Sequence, residues 1–166
     1  EHIDLVTAIR TGKPINEAFQ IAETVYIMND GMVVQSGAPI ELLENPNSEF
    51  AAEFLGYENI FQGFYDKDKK GIVTAIGLIN LMEWDSHAMD DNHSLSVLLK
   101  SHHLTLDEPI EDANDLFLGE GEIASIDFHG KMMRLKIAMK EGFVFVEEPI
   151  QMKDFSVGDL VTIWML

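Results

Sequence analysis

Hydrophobic and polar positions fall into two regimes that meet near Gly56. Upstream, apolar residues recur at helical spacing, with Ile3, Leu5, Val6 and Ile9 forming one short stripe and Ile15, Ala18, Phe19 and Ala22 another. Between these and Gly56 lie two short β-branched runs, Val25 to Met28 and Met32 to Gln35, separated by Asn29-Asp30-Gly31. Asn and Gly accept positive φ at little cost, so this spacing predicts a tight hairpin over 25–35 that stops at Ser36-Gly37. Pro39 then opens a predicted helix ending near Asn45-Pro46. Asn47 or Ser48 caps a second, whose Phe50, Ala51, Phe54 and Leu55 share one face.

Downstream, the period shortens to two. Ile60 to Phe64, Gly71 to Ile76, Ile79 to Trp84, Leu95 to Leu99, Glu122 to Asp127, Met132 to Met139, Phe143 to Val146 and Leu160 to Met165 read as strands bounded by Gly, Asp, Asn or Pro. Met133, Leu135, Ile137 and Met139 point one way while Arg134 and Lys136 point the other, the mark of a half-buried strand. Regularly spaced short strands predict a small closed or nearly closed barrel. An internal echo accompanies them. Asn59-Ile60-Phe61-Gln62-Gly63 recurs in softened form as Asp115-Leu116-Phe117-Leu118-Gly119, which predicts two related units, 57–110 and 111–166.

Composition narrows the function classes. Eleven Lys and Arg against 29 Asp and Glu give a formal charge of −18. That field repels phosphate backbones, so nucleic acid is excluded as a partner, and it disfavours anionic lipid surfaces. With no cysteine in the chain, disulfides, thiolate metal sites and cysteine nucleophiles are all absent, which fits a cytoplasmic protein. There is no run of 18 apolar residues, and the acidic start Glu1-His2-Ile3-Asp4 is not a signal peptide. Without an initiating Met, the sequence reads as a fragment or a processed chain.

Residues 25–56 resemble the C-terminal end of the ATPase domain of ABC importers. The shared pattern is hydrophobic-Met-x-x-Gly-x-[Ile/Val]-[Val/Leu]-Gln-x-Gly-x-Pro-x-Glu-[Ile/Leu]-x-x-x-Pro, which runs here from Ile27 to Pro46 and keeps every turn residue. Phosphate-binding chemistry is missing: no Gly-x-x-x-x-Gly-Lys-Ser/Thr loop occurs, and Gly12-Lys13 is followed by Pro14, which has no N–H to offer a phosphate. Glu17-Ala18 is present, but Gly12-Lys13-Pro14 stands where the family carries a Thr-His-Asp switch. The expectation is a chain with no catalytic residue, no nucleotide site and no cofactor.

Beyond Gly56 the sequence resembles the TOBE domain, the OB-like β-barrel appended to many importer ATPases. Phe54-Leu55-Gly56-Tyr57-Glu58-Asn59-Ile60-Phe61-Gln62-Gly63, Gly121 to Ile126 through Gly130, and Val157-Gly158-Asp159-Leu160-Val161 carry the likeness, with residues 60–110 the least specific. The molybdate/tungstate branch fits best. The expected fold class is therefore mainly β, an OB-like barrel over 57–166 with a helical and hairpin appendage over 1–56.

Three candidate sites follow. Molybdate-type TOBE domains resemble the small Mop proteins, whose motif Ser-Ala-Arg-Asn-x-[Leu/Phe]-x-Gly helps hold the dianion. Here the segment reads Asp112-Ala113-Asn114-Asp115-Leu116-Phe117-Leu118-Gly119. A carboxylate about 4 Å from a unit anionic charge costs roughly 1 kcal/mol in water and roughly 4 kcal/mol at an effective dielectric of 20. Two carboxylates beside a dianion defeat several neutral hydrogen bonds worth roughly 1 kcal/mol each, so that pocket is lost. The remaining oxyanion donors are Lys100, Ser101, His102, Ser125 and Lys131, with Lys140 beyond them, read against a bland alternative as solvated strand ends. Second, Asp85, His87, Asp90, Asp91 and His93, with His102 and His103 further on, bear metal-ligating groups without the spacing of a defined site, and the reading is an acidic loop with no metal. Third, Asp66-Lys67-Asp68-Lys69-Lys70-Gly71 is a hairpin turn lacking the closing Glu of a calcium loop.

The resemblance implies a non-catalytic regulatory or subunit-contact region of an importer ATP-binding protein. Its implied partners are the ATPase domain and membrane subunits of the transporter, its implied place the cytoplasmic side of the cell membrane, and its implied ligand molybdate or tungstate. The alternatives are a stand-alone Mop-like oxyanion-binding protein and a contact domain of the sugar-importer type. A homodimer is expected from apolar strand faces bearing Met132, Met133, Phe143, Phe145 and Trp164.

Overall fold

A computed structural model describes residues 19–20, 22–80, 93–107, 116–150 and 154–166. The two N-terminal helical stripes (apart from Phe19 and Ala22), the end of the predicted strand reaching Trp84, and most of the acidic loop lie outside the described residues. So do Asp112 to Asp115. The chain divides into two compact units, Glu1–Tyr57 and Glu58–Leu166.

In the first unit, β1 (Val25–Asn29) and β2 (Met32–Gly37) form the hairpin, turning through Asp30 at φ 48° and Gly31 at φ 80°. β2 continues to Gly37, which pairs with Val25, so Ser36-Gly37 belongs to the ladder and does not end it. Helix α1 (Pro39–Glu44) starts with its proline in the first turn, and the Glu41 carboxylate accepts from the Ala38 N–H at 3.4 Å. Helix α2 (Glu49–Phe54) is capped by Ser48, whose Oγ accepts from the Ala51 N–H at 3.2 Å. Gln35 holds the link between the helices: its amide donates to the Asn45 carbonyl at 2.8 Å and accepts from the Asn47 N–H at 2.9 Å. The buried core of this unit is Val25, Ile27, Leu42 and Ala51.

The second unit is mainly β. A four-stranded sheet contains β3 (Asn59–Asp66), β4 (Gly71–Thr74), β5 (Gly77–Asn80) and β6 (Ser94–Leu99) in the order β5-β4-β3-β6. A five-stranded sheet contains β7 (Leu104–Thr105), β8 (Leu116–His129), β9 (Met132–Ala138), β10 (Phe143–Pro149) and β11 (Leu160–Met165) in the order β10-β9-β8-β11-β7. All pairings are antiparallel. Each sheet thus has a three-strand meander with the fourth strand returning beside the first, and the first strand of each meander carries the echoed Phe-x-Gly, Phe61 to Gly63 in β3 and Phe117 to Gly119 in β8. The second sheet curls into a five-stranded OB-like barrel, with β7 facing β10 across a seam. Its interior is filled by Leu104, Ile123, Leu135, Ile137, Val144 and Ile163, all fully buried.

Several strand boundaries differ from the sequence expectation. The run Gly71 to Ile76 breaks at Thr74, where the Thr74 hydroxyl donates to the Gly77 carbonyl at 2.9 Å, and β5 begins at Gly77 rather than Ile79. β8 reaches back to Leu116, absorbing glycines that read as strand breakers. Gly121 is needed there for close approach, because a Cβ at that position would lie 2.6 Å from the Ala138 carbonyl oxygen. Gly63 plays the same part in β3, where a Cβ would meet Val73 O at 2.8 Å and Ile72 Cγ2 at 2.7 Å. β7, only two residues long, carries no periodicity to detect.

Asn59, the first residue of the echoed motif, is 1% exposed and ties β3 to the edge of β10. Its amide nitrogen donates to the Phe145 carbonyl at 2.7 Å, and its amide oxygen accepts from the Phe145 N–H at 2.7 Å. Removing the amide leaves two backbone groups without partners, each costing roughly 1–3 kcal/mol. Asn59→Ala is expected to destabilise the protein by about 2–4 kcal/mol, read as a lower urea midpoint at unchanged m-value, and Asn59→Asp, which buries a carboxylate against the Phe145 carbonyl, by at least as much.

Candidate functional site

The candidate oxyanion donors fall on three elements. Lys100 leaves β6 and precedes a 3-10 turn, Ser101–His103, whose His103 N–H donates to the Lys100 carbonyl at 2.9 Å. Lys100, Ser101 and His102 are therefore contiguous on one turn, with Lys100 and Ser101 half-buried and His102 exposed. Ser125 sits within β8 opposite Lys136, next to a bulge. Lys131 is exposed in the turn joining β8 to β9, and its carbonyl accepts from the Ile150 N–H at 3.0 Å. Four residues of strand, about 13 Å, separate Ser125 from His129 at the end of β8. Ser125 and Lys131 therefore do not meet around one oxyanion. Lys140 stands in the turn between β9 and β10, at the other end of β9 from Lys131.

The histidine turn has its own electrostatics. The rings of His102 and His103 lie edge to face with centroids 4.5 Å apart. Burial, then the proximity of His102 and of Lys100, lowers the His103 pKa below its ordinary 6.5. His103 also anchors the chain end, its carbonyl accepting from the Leu166 N–H at 2.9 Å. Of the acidic-loop histidines only His93 is described, and it is exposed. Among the described residues no group of three or more His, Cys, Asp or Glu is placed to hold a metal ion.

Directly after this turn comes the barrel seam. β7 and β10 both run in the same sense as β8, so they face each other in parallel. No ladder joins them; a side chain does. Glu148, 6% exposed, turns Oε1 toward β7 and accepts from the Thr105 hydroxyl at 2.9 Å and the Leu106 N–H at 2.8 Å. Thr105 Oγ1 in turn accepts from the Asp107 N–H at 3.1 Å. In the sequence this residue is one of a pair, Glu147-Glu148, in a chain so acidic that the pair carries no signal. Its alternation is the usable clue: Val144, Val146 and Glu148 share the inward face of β10.

The outer face of β9 and β10 corrects the expected apolar patch. Met133 is core, at 4% exposure. The Lys136 ammonium lies 4.0 Å from the Phe143 ring centroid and 5.8 Å from that of Phe145. The Arg134 guanidinium lies 5.2 Å from the Phe145 centroid and pairs with Glu58. Trp164 is half-buried, edge-on to Phe117 at 5.4 Å. It sits on β11, a strand that pairs with β8 and β7 and not with β9 or β10. Met133 is thus not part of an exposed face, and Trp164 lies on a strand apart from Phe143 and Phe145.

No family model matches the chain. Sequence relatives do. The chain is 31% identical to the putrescine transport ATP-binding protein PotG of Escherichia coli (strain K12), over 82% of this chain and 37% of that protein. It is 29% identical to the spermidine/putrescine import ATP-binding protein PotA of Acetivibrio thermocellus, over 89% and 38%. It is 32% identical to the sulfate/thiosulfate import ATP-binding protein CysA of Bacillus cereus, over 61% and 27%. These relatives are named as transport or import ATP-binding proteins. The chain spans well under half the length of each of the three. Among solved structures, the cytoplasmic molybdate-binding protein ModG aligns with a TM-score of 0.49 and 13% identity, over 66% of this chain and 91% of that one, too distant to bear on ligands. No helix among the described residues is long and apolar enough to cross a membrane.

Two outcomes are expected. Because the folded state favours neutral His103, its contribution to stability is complete above pH 6.5 and is lost as pH falls through that value toward the lowered pKa. In NMR titration the His103 ring should titrate below 6.5, and His102→Gln should move it upward. Glu148→Ala should cost about 2–4 kcal/mol by leaving the Leu106 N–H and the Thr105 hydroxyl without their acceptor, whereas Glu148→Gln, which keeps an acceptor oxygen, should cost less; equal losses in chemical denaturation would refute the seam assignment.

Proposed function

We propose that this chain is a C-terminal, non-catalytic portion of the ATP-binding subunit of an ABC importer, acting in subunit contact or regulation on the cytoplasmic side of the membrane. In this reading residues 1–56 are the end of the ATPase domain and residues 57–166 a TOBE-type domain of two related units. The observation that carries it is the 31% identity to PotG across 82% of the chain, in a sequence that has no phosphate-binding loop.

Relatives named for polyamines and for sulfate/thiosulfate match overlapping parts of this chain. Likeness to proteins named for cargoes of opposite charge supports a role in the transporter's own assembly more than one tuned to a single ligand. The oxyanion reading, with a parent in molybdate or tungstate uptake, rests on the turn bearing Lys100, Ser101 and His102. The −18 charge opposes it, since it repels a dianion at long range. The contact reading is therefore preferred.

The purified chain is expected to hydrolyse no ATP, and calorimetric titration with molybdate, tungstate and sulfate to give no binding heat. Micromolar binding of a metal oxyanion that disappears with Lys100→Ala or Ser101→Ala would replace the contact reading with the sensing one. ATP turnover by the pure chain would overturn the non-catalytic assignment.

A further inference from the structure

β8 and β11 pair with Leu160 opposite Glu122 and Thr162 opposite Glu120. Ile163 is buried, and Val161 and Met165 pack on the core, so the alternate residues Leu160, Thr162 and Trp164 turn outward. On β8, Glu120 and Glu122 alternate with buried Gly121 and Ile123 and share that outward face. Two aliphatic side chains stand at one end of it. Leu160 is 83% exposed, and Val157, in the turn leading into β11, is 64% exposed. At the other end Phe117, 53% exposed, meets Trp164 edge to face.

Single exposed apolar residues are ordinary on a protein surface. These are held in place. The Ser156 N–H donates to the Asp159 carboxylate at 2.8 Å, and the Asp159 N–H donates to the Ser156 carbonyl at 3.1 Å. The Gly158 N–H donates to the Ile123 carbonyl and the Ile123 N–H to the Asp159 carbonyl, both at 2.9 Å. Gly158 makes the turn possible at φ 97°. Closed on itself and tied twice to β8, this turn keeps Val157 and Leu160 pointing away from the core. The surface is ordered before any partner arrives, which removes part of the entropic cost of binding.

The charge beside it is of one sign. Neither β8 nor β11 has a Lys or Arg, while β8 carries Glu120, Glu122 and Asp127. A second copy would set carboxylates against carboxylates, and like charges facing each other suppress an interface. We propose that the outward face of β8 and β11 docks a protein segment of complementary chemistry, one in which Lys or Arg flanks aliphatic or aromatic side chains. The apolar groups of that segment cover Val157, Leu160 and the Phe117–Trp164 pair. Its cations meet Glu120 and Glu122, and the exposed aromatic faces attract them as well. This inference stands apart from the importer reading, because it depends only on the face.

NMR titration of the full chain with three synthetic peptides of equal length tests it: alternating Lys-Leu, alternating Lys-Ser and alternating Glu-Leu. The Lys-Leu peptide should bind most tightly and shift the amides of residues 117–122 and 157–164, and the Glu-Leu peptide should not bind. Leu160→Ser and Glu122→Lys, both at exposed positions, should each weaken Lys-Leu binding by about tenfold with an unchanged circular dichroism spectrum. Equal binding of the Lys-Ser peptide would reduce the effect to net charge and overturn the proposal. So would shifts scattered over other acidic surfaces, or affinity undiminished by Leu160→Ser. A dimer in sedimentation velocity that Leu160→Ser dissolves would assign the face to a second copy and overturn it equally.

Discussion

A strand that lies at the edge of a sheet and is yet buried must satisfy its amides and carbonyls without a neighbouring strand, and β10 does so with side chains. Asn59 reproduces one rung of a ladder at Phe145 with both halves of its amide. Three residues on, Glu148 reaches across the seam to the N–H of Leu106 and the hydroxyl of Thr105. The interior of the unit is aliphatic; burying one face forbids a one-residue slip of register, but a two-residue slip keeps the same face inward. These two polar groups fix which residues meet. They also explain why a two-residue strand such as β7 holds its place: Leu104 and Leu106 supply burial, while the carboxylate supplies the direction.

How much of this was legible in the sequence depended on whether a residue's task was local. The hairpin turn at Asp30-Gly31, the proline opening of α1, the Ser48 cap and the alternation along β9 are decided by neighbours in sequence, and they were readable there. Gln35 was legible as part of a motif, though its work, holding the link at Asn45 and Asn47, was not. Glycines misled, because Gly121 lies inside a strand for a reason that belongs to another strand. Glu148 was invisible among 29 acidic residues, since only the fold distinguishes a buried carboxylate from a solvated one. Of the oxyanion donors, Lys100, Ser101 and His102 were adjacent in sequence and stay adjacent. Ser125 and Lys131 were joined by chemistry alone, and the length of β8 parts them.

The few cations of this acidic chain are used sparingly and locally. Lys136 and Arg134 rest on the rings of Phe143 and Phe145, so much of their charge is directed at the protein's own surface. Lys69 bridges to Asp66 at 3.0 Å within a hairpin turn, where backbone hydrogen bonding from Lys69 is the main cause lowering that carboxyl's pKa. Exposed pairs of this kind add little stability and serve to fix the turn.

The Asn59–Phe145 tie joins residues 86 positions apart. A growing chain that has reached Asn59 must make 86 further residues before the amide finds its partner. Closing so long a loop costs entropy before the contact returns anything, and topologies dominated by distant pairings fold slowly. The tie at Phe145 therefore follows the local hairpins in synthesis, and β3 forms its first pairings without it.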